Sequence, residues 1–171
     1  MRRGRVITLA VVAALALGGC GSKKQDSGGG GAEAVPGVTL PPQASDLNVK
    51  PTIPKPQGQP PAALQVRDVV QGKGKPAESG DTLSVQYVGV SWSTGQQFDS
   101  SWDRGKQPFK FKLGSGMVIP GWDQGLVGMR QGGRRELIIP PDQAYGPQGQ
   151  PPTIGPNETL VFVIDLQKVH K

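Results

Sequence analysis

The chain has 171 residues, of which 26 are glycine and 17 are proline, so about a quarter of them interrupt regular structure. All nine aromatic residues lie between Tyr87 and Phe162, which excludes a hydrophobic core in the first third of the chain. Three arginines among the first five residues contribute to the net charge of +6, whereas residues 63–171 carry 12 Lys and Arg against 10 Asp and Glu. Nucleic-acid binding requires a dense basic face, so this balance argues against it.

Residues 1–19 have the pattern of a secretory signal peptide. A basic start is followed by an apolar run at 6–17, which is too short to span a bilayer as a helix. The run ends in Leu-Gly-Gly before Cys20, the only cysteine, and this resembles the lipobox of bacterial lipoproteins. We therefore expect Cys20 to be lipidated and to hold the protein on the extracytoplasmic face of the cell membrane. The alternative is a free cysteine within a cleavable signal.

The segment that follows Cys20 is rich in residues that oppose burial and regular structure. Residues 21–62 contain 15 glycines and prolines and no aromatic residue. Such a composition buries too little apolar surface to offset the entropy lost on ordering. The sequence therefore predicts a disordered tether at 20–62 and one folded domain at 63–171.

Within the domain, alternating apolar residues predict strands and one short segment predicts a helix. The strands are expected at 64–70, 83–87, 109–112, 135–139 and 160–167. From Pro120, the residues Trp122, Leu126 and Met129 recur at helical spacing, and Gly132-Gly133 closes the segment. A twisted antiparallel sheet needs a cover for its apolar face, so we expect an α+β domain whose sheet wraps around this helix.

The sequence lacks the side chains that hydrolysis, group transfer or metal binding requires. Its only histidine is His170, next to the C-terminus, and its only cysteine is the predicted anchor. A Ser/His/Asp triad or a Cys/His metal site would have to use these two residues. We therefore expect neither a metal nor another cofactor.

Several motifs in order resemble FKBP-type peptidyl-prolyl cis-trans isomerases, and in particular a lipid-anchored bacterial member. The resemblance covers roughly residues 64–169. It implies a five- to six-stranded antiparallel half-barrel around one short helix, with an apolar pocket that receives a prolyl ring. The motifs are VQYVG at 85–89, FDSSWDR at 98–104, PFKF at 108–111, LG at 113–114, VIPGW at 118–122, AYG at 144–146, Ile154, and TLVF at 159–162.

The resemblance also implies roles for eleven residues. The catalytic set is Asp99, Ile119, Trp122 and Tyr145. The substrate-binding set is Tyr87, Phe98, Arg104, Phe109, Val118, Ile154 and Phe162, with Ile154 on a mobile loop over the site. Spacing alone fits a plain core role for the aromatic residues and turn roles for Asp99 and Tyr145. Whether Asp99 orients Tyr145 or Arg104, or contacts the twisted carbonyl, stays open.

This chain departs from the short members of the family at the rim of the expected pocket. One extra residue lies between Arg104 and Phe109. Met117 stands where those members have an acidic residue, Gln150 stands where His is frequent, and Thr153 stands where Ile is frequent. We therefore expect the activity to be kept and tacrolimus-like macrolides to bind weakly.

The resulting hypothesis is a monomeric isomerase that accelerates rotation of X–Pro bonds in exported or unfolded polypeptides. The alternative is a non-catalytic lipoprotein, a chaperone or adaptor that binds proline-containing segments. In both hypotheses the partner is a proline-containing polypeptide, and nucleic acid is not a partner.

Overall fold

Six strands form one antiparallel sheet, and a short helix follows the fourth strand. The computed structural model describes residues 37–171. The elements are β1 Gln65–Val70, β2 Thr82–Ser91, β3 Gln97–Ser100, β4 Phe109–Lys112, α1 Pro120–Gly125, β5 Gly133–Ile139 and β6 Leu160–His170. The predicted α+β fold class is confirmed. The four-residue strand β3 was not predicted, because it has no run of alternating apolar residues.

The sheet has the order β1-β5-β6-β2-β3, and β4 pairs with the same edge of β2 as β3 does. The last strand, β6, lies in the centre and pairs with β2 on one side and β5 on the other. On the outer edge of β2, Val88 opposes Ser100 of β3, and Val85 opposes Phe109 of β4. Gln86 and Tyr87 lie between these two pairings, where the loop at 101–108 leaves the sheet.

The front face of the sheet packs against α1 and forms the larger core. At Gly121 a Cβ atom would lie 2.4 Å from the Ile139 side chain, so glycine allows the helix to approach β5 closely. The helix ends at Gly125, earlier than the glycine pair at 132–133 predicts. Leu126 and Met129 are nevertheless buried in this core, because the turn after the helix continues along the sheet.

The back face of the sheet is covered by the chain's own N-terminal residues. Val38, Ala44 and Ile53 are buried there. Val38 and Ile53 belong to a second core cluster with the alternate side chains of the strands. The sheet residues of this cluster are Val88, Val90, Ile138, Val161 and Val163, and Trp92 joins them directly after β2. We call residues 37–57 the back-face segment.

The side chain of Arg134 ties the back-face segment to the sheet. It is fully buried and pairs with Asp165 through Nε and Nη2, at 2.5 and 2.7 Å. Its Nη1 donates to the carbonyl oxygens of Ala44 and Asp46 at 2.7 and 3.1 Å, and its Nη2 donates to that of Val49 at 3.1 Å. These bonds satisfy backbone carbonyls in a segment that forms no strand of its own.

The prediction of a disordered tether is therefore wrong for the back-face segment. Its few apolar residues are widely spaced and fall among prolines, so composition alone does not show that they share one surface. The predicted signal peptide at 1–19, the lipidated Cys20 and residues 21–36 of the predicted tether lie outside the described residues. Within residues 37–171, no helix is both long enough and apolar enough to cross a membrane.

A second ion pair lies on the back face of β5. Arg67 Nη2 is 2.8 Å from Glu136 Oε2, and the Glu136 side chain is fully buried. Burial raises the pKa of Glu136 to about 7, although the charge of Arg67 opposes the shift.

Candidate active site

A cavity of about 470 Å³ opens between α1 and the front face of the sheet. Its wall combines aromatic rings from the strands with residues from the loop that precedes the helix. The lining residues are Tyr87, Phe98, Asp99, Phe109, Met117, Val118, Ile119, Trp122, Tyr145 and Phe162. A concave, mainly apolar site with a few polar groups is typical of ligand pockets.

Trp122 lies at the centre of the aromatic wall. Its ring centroid is 5.2 Å from those of Tyr87 and Phe162, with nearly perpendicular planes. Phe98 meets Phe162 edge to face at 5.4 Å, and this contact passes over Gly89, where a Cβ atom would lie 2.6 Å from the Phe98 ring. Edge-to-face contacts favour fixed ring positions, so the pocket is rigid along this wall.

The Trp122 indole Nε1 is buried and has no hydrogen-bond partner within residues 37–171. A buried donor without a partner is uncommon in folded proteins. Here it belongs to the residue at the centre of the pocket wall, where a bound ligand would be its neighbour.

The loop before the helix is fixed by Asp123 on α1. Its carboxylate accepts hydrogen bonds from the amides of Gly114 and Gly116, at 2.8 and 2.9 Å. Ile119 precedes the helix, and its carbonyl accepts the amides of Trp122 and Asp123. In the described part of the chain, the Ile119 amide donates to no protein acceptor, so it is available at the pocket wall.

Three polar side chains form a network at one side of the pocket. The Tyr87 hydroxyl donates to Asp99 Oδ2 at 2.5 Å, and Arg104 Nη2 donates to the Tyr87 oxygen at 2.7 Å. Arg104 Nη1 also forms an ion pair with Asp99 Oδ1. Of the alternatives left open by the sequence, the structure therefore joins Asp99 to Arg104, and to Tyr87 rather than to Tyr145.

This network sets the charge state of its members. Partial burial opposes ionisation of Asp99, but hydrogen bonds from Tyr87 and Arg104 outweigh it and lower the pKa of Asp99. Burial and the hydrogen bond to Asp99 raise the pKa of Tyr87 to about 12. At neutral pH the site therefore holds a carboxylate, a neutral phenol and a guanidinium.

Tyr145 also lines the pocket and is partly exposed. Desolvation and the nearby charge of Asp99 raise the pKa of its hydroxyl, so it is a neutral donor at neutral pH. Within residues 37–171 this hydroxyl has no hydrogen-bond partner, which leaves it available to a ligand in the pocket. The same residues include no cluster of three or more His, Cys, Asp or Glu side chains placed to hold a metal ion.

The family of this chain follows from its similarity to known proteins. Residues 73–167 match the family described as FKBP-type peptidyl-prolyl cis-trans isomerase. The chain belongs to this FKBP family. The predicted enzyme class, a peptidyl-prolyl cis-trans isomerase of the FKBP type, is thereby confirmed.

Individual FKBP relatives match nearly their whole length. An FK506-binding protein of Streptomyces anulatus is 54% identical over 121 residues, which are 70% of this chain and 97% of the relative. A probable FK506-binding protein of Corynebacterium glutamicum is 48% identical over 117 residues, which are 68% of this chain and 96% of the relative. The crystal structure of AtFKBP13 has a TM-score of 0.58 at 38% identity and covers 64% of this chain and 94% of that one.

In this FKBP domain the structure brings nine of the eleven predicted site residues to the pocket wall. Arg104 lies just outside the wall and reaches it through Asp99 and Tyr87. Ile154 is only 2% exposed and belongs to the front core rather than to the lining. The structure therefore does not bring Ile154 to the pocket wall, and its place on a mobile loop over the site stays a prediction.

Two parts of the site were not predicted from sequence. Met117 was noted only as a departure from the FKBP pattern, yet it lines the pocket and is 65% exposed. Gln86 and Ser101 hold the loop that carries Arg104. Strand alternation puts Gln86 on the opposite face from Tyr87, so no pattern in the sequence links it to the site.

Proposed function

We propose that the domain accelerates X–Pro rotation because its pocket favours the twisted amide over the planar one. The observation that carries this proposal is the aromatic wall around Trp122, which surrounds a cavity of about 470 Å³ with few polar groups. Such a space, walled by aromatic rings, fits a prolyl ring.

The chemistry needs no nucleophile or metal. Rotation about the peptide bond loses amide resonance, at a barrier of about 18–20 kcal/mol. In the twisted form the nitrogen lone pair no longer conjugates with the carbonyl, so the amide is less polar than in the planar form. An apolar site therefore binds the twisted amide relatively better, and this difference in binding lowers the barrier.

Polar groups at the rim would hold the chain on both sides of the rotating bond. The Ile119 amide and the Tyr145 hydroxyl are donors without protein acceptors in the described residues, and both line the pocket. Substrate carbonyls are their natural partners. The Asp99–Arg104 pair keeps a fixed charge next to the pocket.

A refolding assay tests the enzyme against a binding-only role. The chain at 21–171 should accelerate the refolding of a substrate protein that is limited by one prolyl bond. The variant Phe98→Ala should lose this activity, whereas Val127→Ala, at an exposed position outside the pocket, should keep it. Intact peptide binding with no rate increase at micromolar protein would contradict catalysis and favour the non-catalytic chaperone or adaptor.

The cellular setting rests on the N-terminal sequence. A signal-like segment before Cys20 supports an isomerase anchored by lipid on the extracytoplasmic face of the membrane and acting as a monomer on exported polypeptides. The variant Cys20→Ser should move the protein from the membrane to the soluble fraction. Unchanged membrane retention would contradict the anchor.

The family relationship also supports macrolide binding, since the relatives named above are FK506-binding proteins. We propose that tacrolimus enters the same pocket and binds weakly. Met117, exposed at the rim, replaces the acidic residue of the short FKBPs, and Gln150 and Thr153 alter the loop after Tyr145.

A further inference from the structure

The outer edge of β2 has a gap in its strand pairing beside the pocket. β3 pairs with residues 88–90 of β2, and β4 pairs with residues 82–85 of β2. Gln86 and Tyr87 therefore face the start of the loop at 101–108 instead of a strand. This loop carries Arg104, so whatever closes the gap also fixes the loop.

Ser101 closes the backbone side of the gap. Its hydroxyl oxygen accepts the Tyr87 amide at 2.9 Å, and its own amide donates to the Tyr87 carbonyl at 3.1 Å. Ser101 is fully buried. It therefore takes the place of a strand partner for Tyr87 and marks the point where the loop begins.

Gln86 holds both ends of the same turn. Its side chain is 1% exposed. Its Oε1 accepts a hydrogen bond from the Ser101 hydroxyl, and its Nε2 donates to the Lys106 carbonyl at 2.5 Å. Between these two anchors lies the 3-10 turn Trp102–Arg104. Because a carbonyl only accepts, the network fixes which end of the amide faces Lys106.

The turn decides where the Arg104 guanidinium lies. The Arg104 and Asp99 side chains are each about half exposed, and an exposed ion pair contributes little without a scaffold that sets its geometry. Here the turn is that scaffold, and the buried side-chain amide of Gln86 holds it in place. A glutamine can act in this way because it supplies a donor and an acceptor together.

We infer that Gln86 is a positioning residue for the isomerase: through the turn at 101–106 it holds Arg104 against Asp99 and Tyr87 at the pocket. This inference rests on the proposed function. Gln86 does not line the pocket, so its effect on substrate passes entirely through the loop.

A double-mutant cycle tests this role. Gln86→Met keeps the side-chain volume and removes both hydrogen bonds. It should lower kcat/KM by about fivefold to tenfold, the scale of a buried hydrogen bond. In an Arg104→Leu background the same change should cost less than about twofold, since its target is gone. The matched control is Gln167→Met on β6, an exposed glutamine with no hydrogen bond to the loop at 101–108, which should leave kcat/KM unchanged.

A second measurement does not require catalysis. Because Tyr87 and Arg104 lower the pKa of Asp99, Gln86→Met should raise it toward its ordinary value, as followed by NMR of the carboxyl group against pH. Equal losses of kcat/KM in both backgrounds, or an unchanged Asp99 pKa, would overturn the positioning role. An inactive unmodified protein would instead overturn the proposed function, and the Asp99 titration would still decide on the turn.

Discussion

Neighbouring residues of the same strands point to opposite faces of the sheet, and the two faces are covered differently. On the front, Tyr87 and Phe162 point to an open aromatic pocket. On the back, Val88 and Val163 are closed off by the back-face segment. The front keeps part of its apolar surface available for a ligand, whereas the back buries its surface under the chain itself. The proposed activity therefore belongs to the front face, whereas the back face contributes to stability.

The largest expected effect is on the back face, at Arg134. The change Arg134→Met should lower the free energy of unfolding by about 3–5 kcal/mol, because it leaves Asp165 buried without its partner and three carbonyls without their donor. Urea denaturation measures the loss. The kcat/KM of the folded fraction should stay within about twofold, since the pocket lies on the other face.

A matched double variant separates charge from packing. Adding Asp165→Leu to Arg134→Met removes the unpaired carboxylate and should restore part of the stability. If Arg134→Met alone leaves the unfolding free energy unchanged, the back-face segment does not depend on this side chain, and the assignment of stability to the back face fails.

An intermediate effect is expected from pH, through Glu136. Its pKa is about 7 in the folded protein against an ordinary value of 4.5. Because the pKa is raised in the folded protein, Glu136 makes its full contribution to stability below pH 4.5. This contribution falls as the pH rises to about 7 and is constant at higher pH. The change amounts to at most about 3 kcal/mol.

The variant Glu136→Gln isolates this group from the other carboxyls. Between pH 4.5 and 8, the free energy of unfolding should fall more in the unmodified protein than in the variant. Thermal or urea unfolding at several pH values provides the measurement. A difference that does not vary with pH would show that Glu136 is ionised equally in both states.

The smallest effect is on the front face, at Phe109. Its ring is partly exposed at the pocket, so Phe109→Leu should cost less than about 1 kcal/mol of stability. It should lower kcat/KM by about fivefold to tenfold, because it opens the aromatic wall that we propose to favour the twisted amide. A loss of stability with unchanged kcat/KM would contradict the proposal that the front face carries the activity.

The sequence predicts elements best where one face is buried along a whole strand. The alternation at 160–167 predicts β6, and the motifs around Trp122 predict the pocket. The back-face segment was missed because Arg134 and Asp165, which complete it, lie far from it in the chain. The loop anchor at Gln86 was missed for a related reason: its partners are a hydroxyl and a carbonyl, which no periodicity reveals. Ile154 lies in the front core and not among the lining residues, because a position in a family motif does not give the direction of a side chain.

The central position of β6 has a consequence for how the domain folds. Leu160–His170 joins two halves of the sheet, β1 with β5 and β2 with β3 and β4. The hydrogen bond from Arg134 to Ala44 likewise spans 90 residues. Contacts so distant in sequence slow folding and leave strand edges unpaired until they form. A chain that emerges from its N-terminus therefore cannot close its sheet until the eleven residues of β6 have arrived.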